Sequence, residues 1–140
     1  MTNQLPRQGL HPLHAILLAF PVALFAAALF SDSAYFNTAQ IQWANFASWL
    51  IAGGLFVGAF AVLWALIEMA LSAKRSARGS VVYLVTLLAM WLVGFINALV
   101  HAKDAWAAMP TGLYLSALMT VLALVAAWAA HSGLRAGDAP

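Results

Sequence analysis

The sequence predicts an all-α, polytopic membrane protein: one integral membrane domain in which four transmembrane helices pack as an antiparallel bundle. Three observations carry that prediction. Hydrophobic residues make up 65% of the 140-residue chain and charged residues only 7%, against about 25% charge in ordinary soluble domains. The mean hydropathy is +0.92. The apolar residues also fall into four runs, roughly 13–30, 46–71, 81–100 and 113–130, each long enough to cross a hydrocarbon core of about 30 Å at ~1.5 Å per residue. Lipid offers an open backbone no hydrogen-bonding partner, so each run is expected to be a helix. Short polar links between the runs imply up-and-down neighbours.

The first run opens at "GLHPLH". Pro12 suits a first helical turn, because its missing N–H is one that the turn leaves unbonded anyway. His11 then lies near the cap, and His14 shares its helix face. Pro21, inside the run, predicts a kink that frees the carbonyl of Leu17. Short and apolar behind Arg7, this run resembles a secretory signal. However, "FSDSAY" places Asp32 where cleavage wants a small residue, so it is read as a retained helix. The polar "SDSAYFNTAQIQ" that follows is read as the first loop.

In the second run, Gly54 and Gly58 form a small-xxx-small pair that lets another backbone approach, and packing within the bundle is favoured over dimerisation. Glu68 lies one turn inside the end of this run, with Ser72 and Arg75 one and two turns further on to solvate or pair it. The third run carries Trp91 near its middle, where helix packing is favoured over stacking on a cofactor, and closes on Asn97 and His101. Pro110 and Gly112 then shape a tight link into the fourth run, which ends at His131.

Orientation follows from the cations. Arg7, Lys74, Arg75, Arg78 and Arg135 fall on one side of the four-span arrangement and Lys103 on the other. Lysine and arginine accumulate on the cytoplasmic side of short loops, which puts both termini and the second loop in the cytoplasm. Trp43, Trp49 and Trp106 then belong to the periplasmic interface, and Trp64 and Trp128 to the cytoplasmic one.

Ionisable and strongly polar side chains are costly in a bilayer, so His11, His14, Glu68, Asn97, His101, Asp104 and His131 are the candidates for chemistry. The topology sorts them into two layers. On the cytoplasmic side, His11, His14 and Glu68 offer nitrogen and carboxylate ligands to a divalent metal, with His131 nearby. His14 with His11 or His131 offers axial ligands to a b-type haem. The favoured reading is an interfacial cap shared by the two histidines and Glu68. On the periplasmic side, Asn97, His101 and Asp104 form a polar network that closes the third helix or contacts a quinone headgroup. His14 and His101 stand a membrane's width apart, and no two histidines share a mid-membrane depth as a transmembrane haem pair does.

Several classes are excluded. Without cysteine there are no disulfides, iron–sulfur clusters or cysteine-ligated zinc. A formal net charge of +2 is no nucleic-acid footprint. No serine, histidine and aspartate cluster suggests a nucleophile, and "GG" at Gly53–Gly54 lies inside a span rather than in a phosphate loop.

"GLHPLHAILLAFPVALF", "SDSAYF", "SWLIAGG" and "VHAKDAWAAMPTGLYLS" together resemble the bacterial membrane proteins grouped as the domain-of-unknown-function 2231 family, from about Gly9 to about Trp128. The resemblance is most specific at His11, Pro12 and His14 with Phe20-Pro21, and at His101, Asp104, Trp106, Pro110 and Gly112. Members tend to carry arginine at Lys103, aspartate at Glu68 and a more basic tail, and His131 matches none of the motifs. The resemblance implies a four-helix inner-membrane fold. It also loosely implies a redox setting, in the company of periplasmic sugar-dehydrogenase-like proteins and cytochromes.

The expected function is a non-catalytic accessory subunit or anchor of a larger membrane assembly. Its partners would be the lipid bilayer and another membrane or periplasmic protein, or a second copy of the chain. A haem b- or quinone-binding electron-transfer component is the alternative, and a metal-handling or transport protein the second alternative.

Overall fold

The computed structural model describes residues 10–71, 78–103 and 105–132. Four long helices, α1 (Pro12–Thr38), α2 (Ile41–Leu71), α3 (Arg78–His101) and α5 (Thr111–His131), are joined by short links and the single-turn α4 (Ala105–Ala108). All four are long and apolar enough to span a membrane. α1 packs on α2 and α5, and α3 packs on α2 and α5, so the helices stand at the corners of a square with α1 and α3 on a diagonal. Alternation of direction places the start of α1, the end of α2, the start of α3 and the end of α5 at one end of the bundle, here the near end. The α1–α2 link and the start of α5 lie at the far end.

The first helix runs eight residues past the end of its apolar run: it continues through Ser31–Thr38, read from sequence as loop. The reason is local. The hydroxyls of Ser31, Ser33 and Thr38 and the amide of Asn37 each donate to the carbonyl four residues back, at 2.7 to 2.8 Å, so these polar groups are satisfied by the helix itself. Ala39 ends α1 in the left-handed conformation (φ 54°), its N–H bonded to the Tyr35 carbonyl. With Gln40 it forms the whole link to α2.

The buried positions run in steps of three and four. On α1 they include His14, Leu18, Pro21, Phe25, Ala28, Asp32 and Tyr35. On α2 they include Ala44, Ala47, Ile51, Gly54, Gly58, Ala61 and Ala65. On α5 they include Gly112, Ser116, Met119, Ala123, Ala126 and Ala130. This is a 3.5-residue seam, the pattern of left-handed bundles crossing at about +20°.

The side chains are sorted by size rather than polarity: alanine and glycine dominate the inner faces of α2 and α5, while Phe30, Trp49, Phe56, Leu71 and Trp128 face outward. Between helices lipid is as apolar as leucine, so close approach by small residues replaces hydrophobic contrast as the packing force. At mid-height the fully buried Phe25 ring fills the space over Gly54 and Gly94, where a Cβ on Gly54 would run into it. Gly58 faces the Pro21 ring and Trp91. The Gly54/Gly58 pair therefore works inside the bundle. α1 runs through Pro21 as one helix, and Trp91 packs between helices by donating its indole N–H to the Leu55 carbonyl at 3.1 Å.

Candidate functional site: two polar clamps across the bundle diagonal

Among the described residues, two side-chain bonds join α1 to α3 across the diagonal, one at each end of the bundle. At the near end, His14 Nε2 lies 2.6 Å from the Tyr83 hydroxyl. At the far end, His101 Nε2 lies 2.8 Å from Asp32 Oδ1. His14 and Asp32 are eighteen residues apart (positions 14 and 32), as are Tyr83 and His101 (positions 83 and 101). Eighteen residues are five helical turns, so each pair of positions shares one face of its helix. They rise ~27 Å, close to the hydrocarbon thickness.

The near clamp is aromatic. His11 caps α1 by accepting the Leu13 N–H on Nδ1 at 3.3 Å, as its place beside Pro12 suggests. The rings of His11 and His14 both lie against Trp64, at centroid distances of 5.3 and 5.6 Å. Trp64 in turn donates its indole N–H to Glu68 Oε1 at 3.0 Å. The structure thus gathers His11, His14 and Glu68 around one indole. Ser72 and Arg75, expected to pair Glu68, lie outside the described residues. His131 bonds its own helix, Nδ1 to the Ala127 carbonyl at 2.7 Å, and is exposed. Among the described residues no three histidine or acidic side chains converge as a metal site. A haem iron on His14 Nε2 would have to displace the Tyr83 hydroxyl.

The far clamp is a longer chain of bonds. Asn97 donates from Nδ2 to Ser116 Oγ at 2.8 Å, and Ser116 donates to Asp32 Oδ2 at 2.5 Å. Asp32 Oδ1 meets His101 Nε2, and His101 Nδ1 lies 3.0 Å from the Asn97 carbonyl, one turn back in α3. Asp32, Asn97 and Ser116 are fully buried. Gly112 makes room for the imidazole, since a Cβ there would stand 2.8 Å from His101 Cε1.

Proton counting fixes the chemistry of this chain. Nδ1 faces a carbonyl oxygen, which only accepts, so Nδ1 carries a hydrogen. A neutral imidazole then has a bare Nε2, and a bare nitrogen facing a bare carboxylate oxygen makes no bond. One proton must lie between Nε2 and Oδ1, as imidazolium with carboxylate or as imidazole with carboxylic acid. Both forms are neutral overall, which is how an acidic side chain is accommodated inside a membrane protein. Ser116 bonds the carboxylate and not the imidazole, so the three residues do not form a nucleophile–base–acid relay.

Of the periplasmic-side network expected from sequence, Asn97 and His101 are joined, and Asp104 lies outside the described residues. Both ring nitrogens of His101 are taken by other partners. Sequence reasoning passed over Asp32, Ser116 and Tyr83.

The sequence profile of the domain-of-unknown-function 2231 family, described as predicted membrane proteins, matches residues 10–134. The chain belongs to the DUF2231 family. The matched segment takes in both clamps of this DUF2231 protein, from His11 to Ser116. No curated protein and no solved structure matches the chain.

Proposed function

We propose that this DUF2231 protein is an accessory subunit or anchor of a larger membrane assembly, set in a bacterial inner membrane with both termini cytoplasmic. One observation carries the reading: among the described residues, the buried His14, Asp32, Asn97 and Ser116 are engaged in the two clamps, with only the Asn97 amide oxygen left without a partner, and large apolar side chains cover the outside. Such a bundle is a braced body whose contact surface is its membrane-facing flank. The near end, with the start of α1, the end of α2 and His131, is the cytoplasmic one on this reading, in keeping with Lys74 and Arg75 in the sequence between α2 and α3 and Arg78 as the first residue of α3.

The test is site-specific photo-crosslinking in native membranes, with a photoreactive phenylalanine placed in turn at the exposed positions Trp49, Phe56, Tyr114 and Trp128. Discrete protein adducts from one flank are expected. Lipid adducts alone at all four positions would remove the reading.

A further inference from the structure

A groove of about 220 Å³ opens at the far end, lined by Tyr35, Phe36, Met109 and Pro110. Its floor differs from ordinary lipid-facing surface. The Tyr35 side chain is only 4% exposed, and its hydroxyl, which makes no hydrogen bond to the described residues, is not among the fully buried polar atoms and so is open to a ligand.

The size is that of one substituted six-membered ring, since a dry protein cavity of about 150 Å³ accepts benzene. Among the described residues, Phe36, Met109 and Pro110 line it with apolar or aromatic surface, and Tyr35 brings a hydroxyl able to donate or accept. Phe36 is largely exposed on the flank, so a ligand can enter from the lipid phase. The groove also adjoins the far clamp through both of its elements. Tyr35 follows Asp32 by three residues on the buried face of α1, and Pro110 precedes Gly112, the residue packed on His101.

We propose that this groove binds the headgroup of a membrane quinone or quinol, with a ring oxygen on the Tyr35 hydroxyl. A ring of this class matches the volume, arrives through lipid on its apolar tail, and exchanges protons at oxygen one turn from a pair that holds a single proton. A diacyl lipid offers no ring to match the pocket and no phenolic oxygen for Tyr35. The proposal stands apart from the accessory reading: crosslinking to partners and binding of a ring succeed or fail separately.

The probe is a decyl-tailed dimethoxy-methyl-benzoquinone, titrated into the full chain in phosphatidylcholine nanodiscs, with empty nanodiscs subtracted. Saturable binding is expected. Tyr35→Phe should weaken it about three- to tenfold by removing one hydrogen bond, and Met109→Trp should abolish it by filling the groove. Phe36→Trp, at an exposed position that tolerates bulk, should weaken it as well and serves if Met109→Trp fails to fold. Phe56→Leu, on the outer face of α2, should leave binding unchanged. Non-saturable uptake, equal binding by wild type and both groove-filling variants, or full displacement by decanol would each overturn the proposal, the last because it would show recognition of the chain and not the ring.

Discussion

Asp32→Asn is the perturbation that separates a proton-holding clamp from a generic buried contact. Asparagine has the same shape but offers one acceptor and one donor group. Its Oδ1 can accept from Ser116 while its Nδ2 donates to a bare His101 Nε2, and Nδ1 keeps its bond to the Asn97 carbonyl. The amide therefore satisfies every partner with a neutral imidazole and no shared proton. The cost is the exchange of two charge-assisted hydrogen bonds for two neutral ones, about 1–2 kcal/mol. Asp32→Ala keeps neither bond and strands a buried imidazole and hydroxyl, for about 3–5 kcal/mol. Equilibrium unfolding in mixed micelles, followed by tryptophan fluorescence, measures both. ¹⁵N NMR of His101 supplies the second readout: a protonated or proton-sharing Nε2 in the wild type, and an unprotonated Nε2 with Nδ1–H in the asparagine variant. The proton assignment fails if asparagine costs as much as alanine, or if the Nε2 signal is the same in both proteins.

Other expectations follow from the same geometry. Tyr83→Phe removes the hydroxyl on His14 and should cost about 1–3 kcal/mol. Combined with Asp32→Asn it should be additive to within ~0.5 kcal/mol, because the clamps are a membrane's width apart; a larger coupling in the double-mutant cycle would show that they communicate. Gly54→Ala should lose about 1–3 kcal/mol in the same unfolding assay, since its methyl meets the buried Phe25 ring. Gly112→Ala should displace the His101 imidazole and change its ¹⁵N signals while leaving those of His14 in place. Ala39→Gly should instead stabilise by about 0.5–1 kcal/mol, because Ala39 holds a left-handed backbone at the end of α1 that glycine adopts without strain.

The number of spans, their connectivity and the cap at His11-Pro12 were legible because they depend on bulk hydropathy and on local helix chemistry. The extension of α1 was not. A hydropathy reading ends the span where "SDS" begins, yet serine, threonine and asparagine can bond the carbonyl four residues back and so travel inside a helix at small cost. That one misplaced boundary hid Asp32, which counted only as an obstacle to signal cleavage. It also left His101 to be matched with Asp104, its neighbour in sequence. Inner and outer faces were hard to separate for a related reason. Both are apolar, so the contrast that marks an amphipathic helix is missing, and what distinguishes them is alanine and glycine inside against phenylalanine and tryptophan outside. A usable signal did exist: the polar residues His14, Asp32, Asn97 and Ser116 all fall on the 3.5-residue seam that the small residues trace.

That seam also explains why polar residues are retained at both ends. A stripe of alanine and glycine lets helices come close but fixes their vertical register weakly, because sliding by a heptad presents another small residue to the same neighbour. A polar pair does not tolerate such a slip. Moving α1 against α3 by two turns would part Asp32 from His101 and His14 from Tyr83 together, since the two bonds have the same spacing on both helices. It would leave a carboxyl group facing hydrocarbon at a cost of several kcal/mol. The equal five-turn spacing therefore makes the clamps a single register device, closed at both membrane faces, with the aliphatic core between them free to be small. Among the described residues, the far clamp has a shared proton and, one turn away, the Tyr35 hydroxyl at a ring-sized groove. The ring binding proposed above therefore falls at the Asp32–His101 end of the bundle.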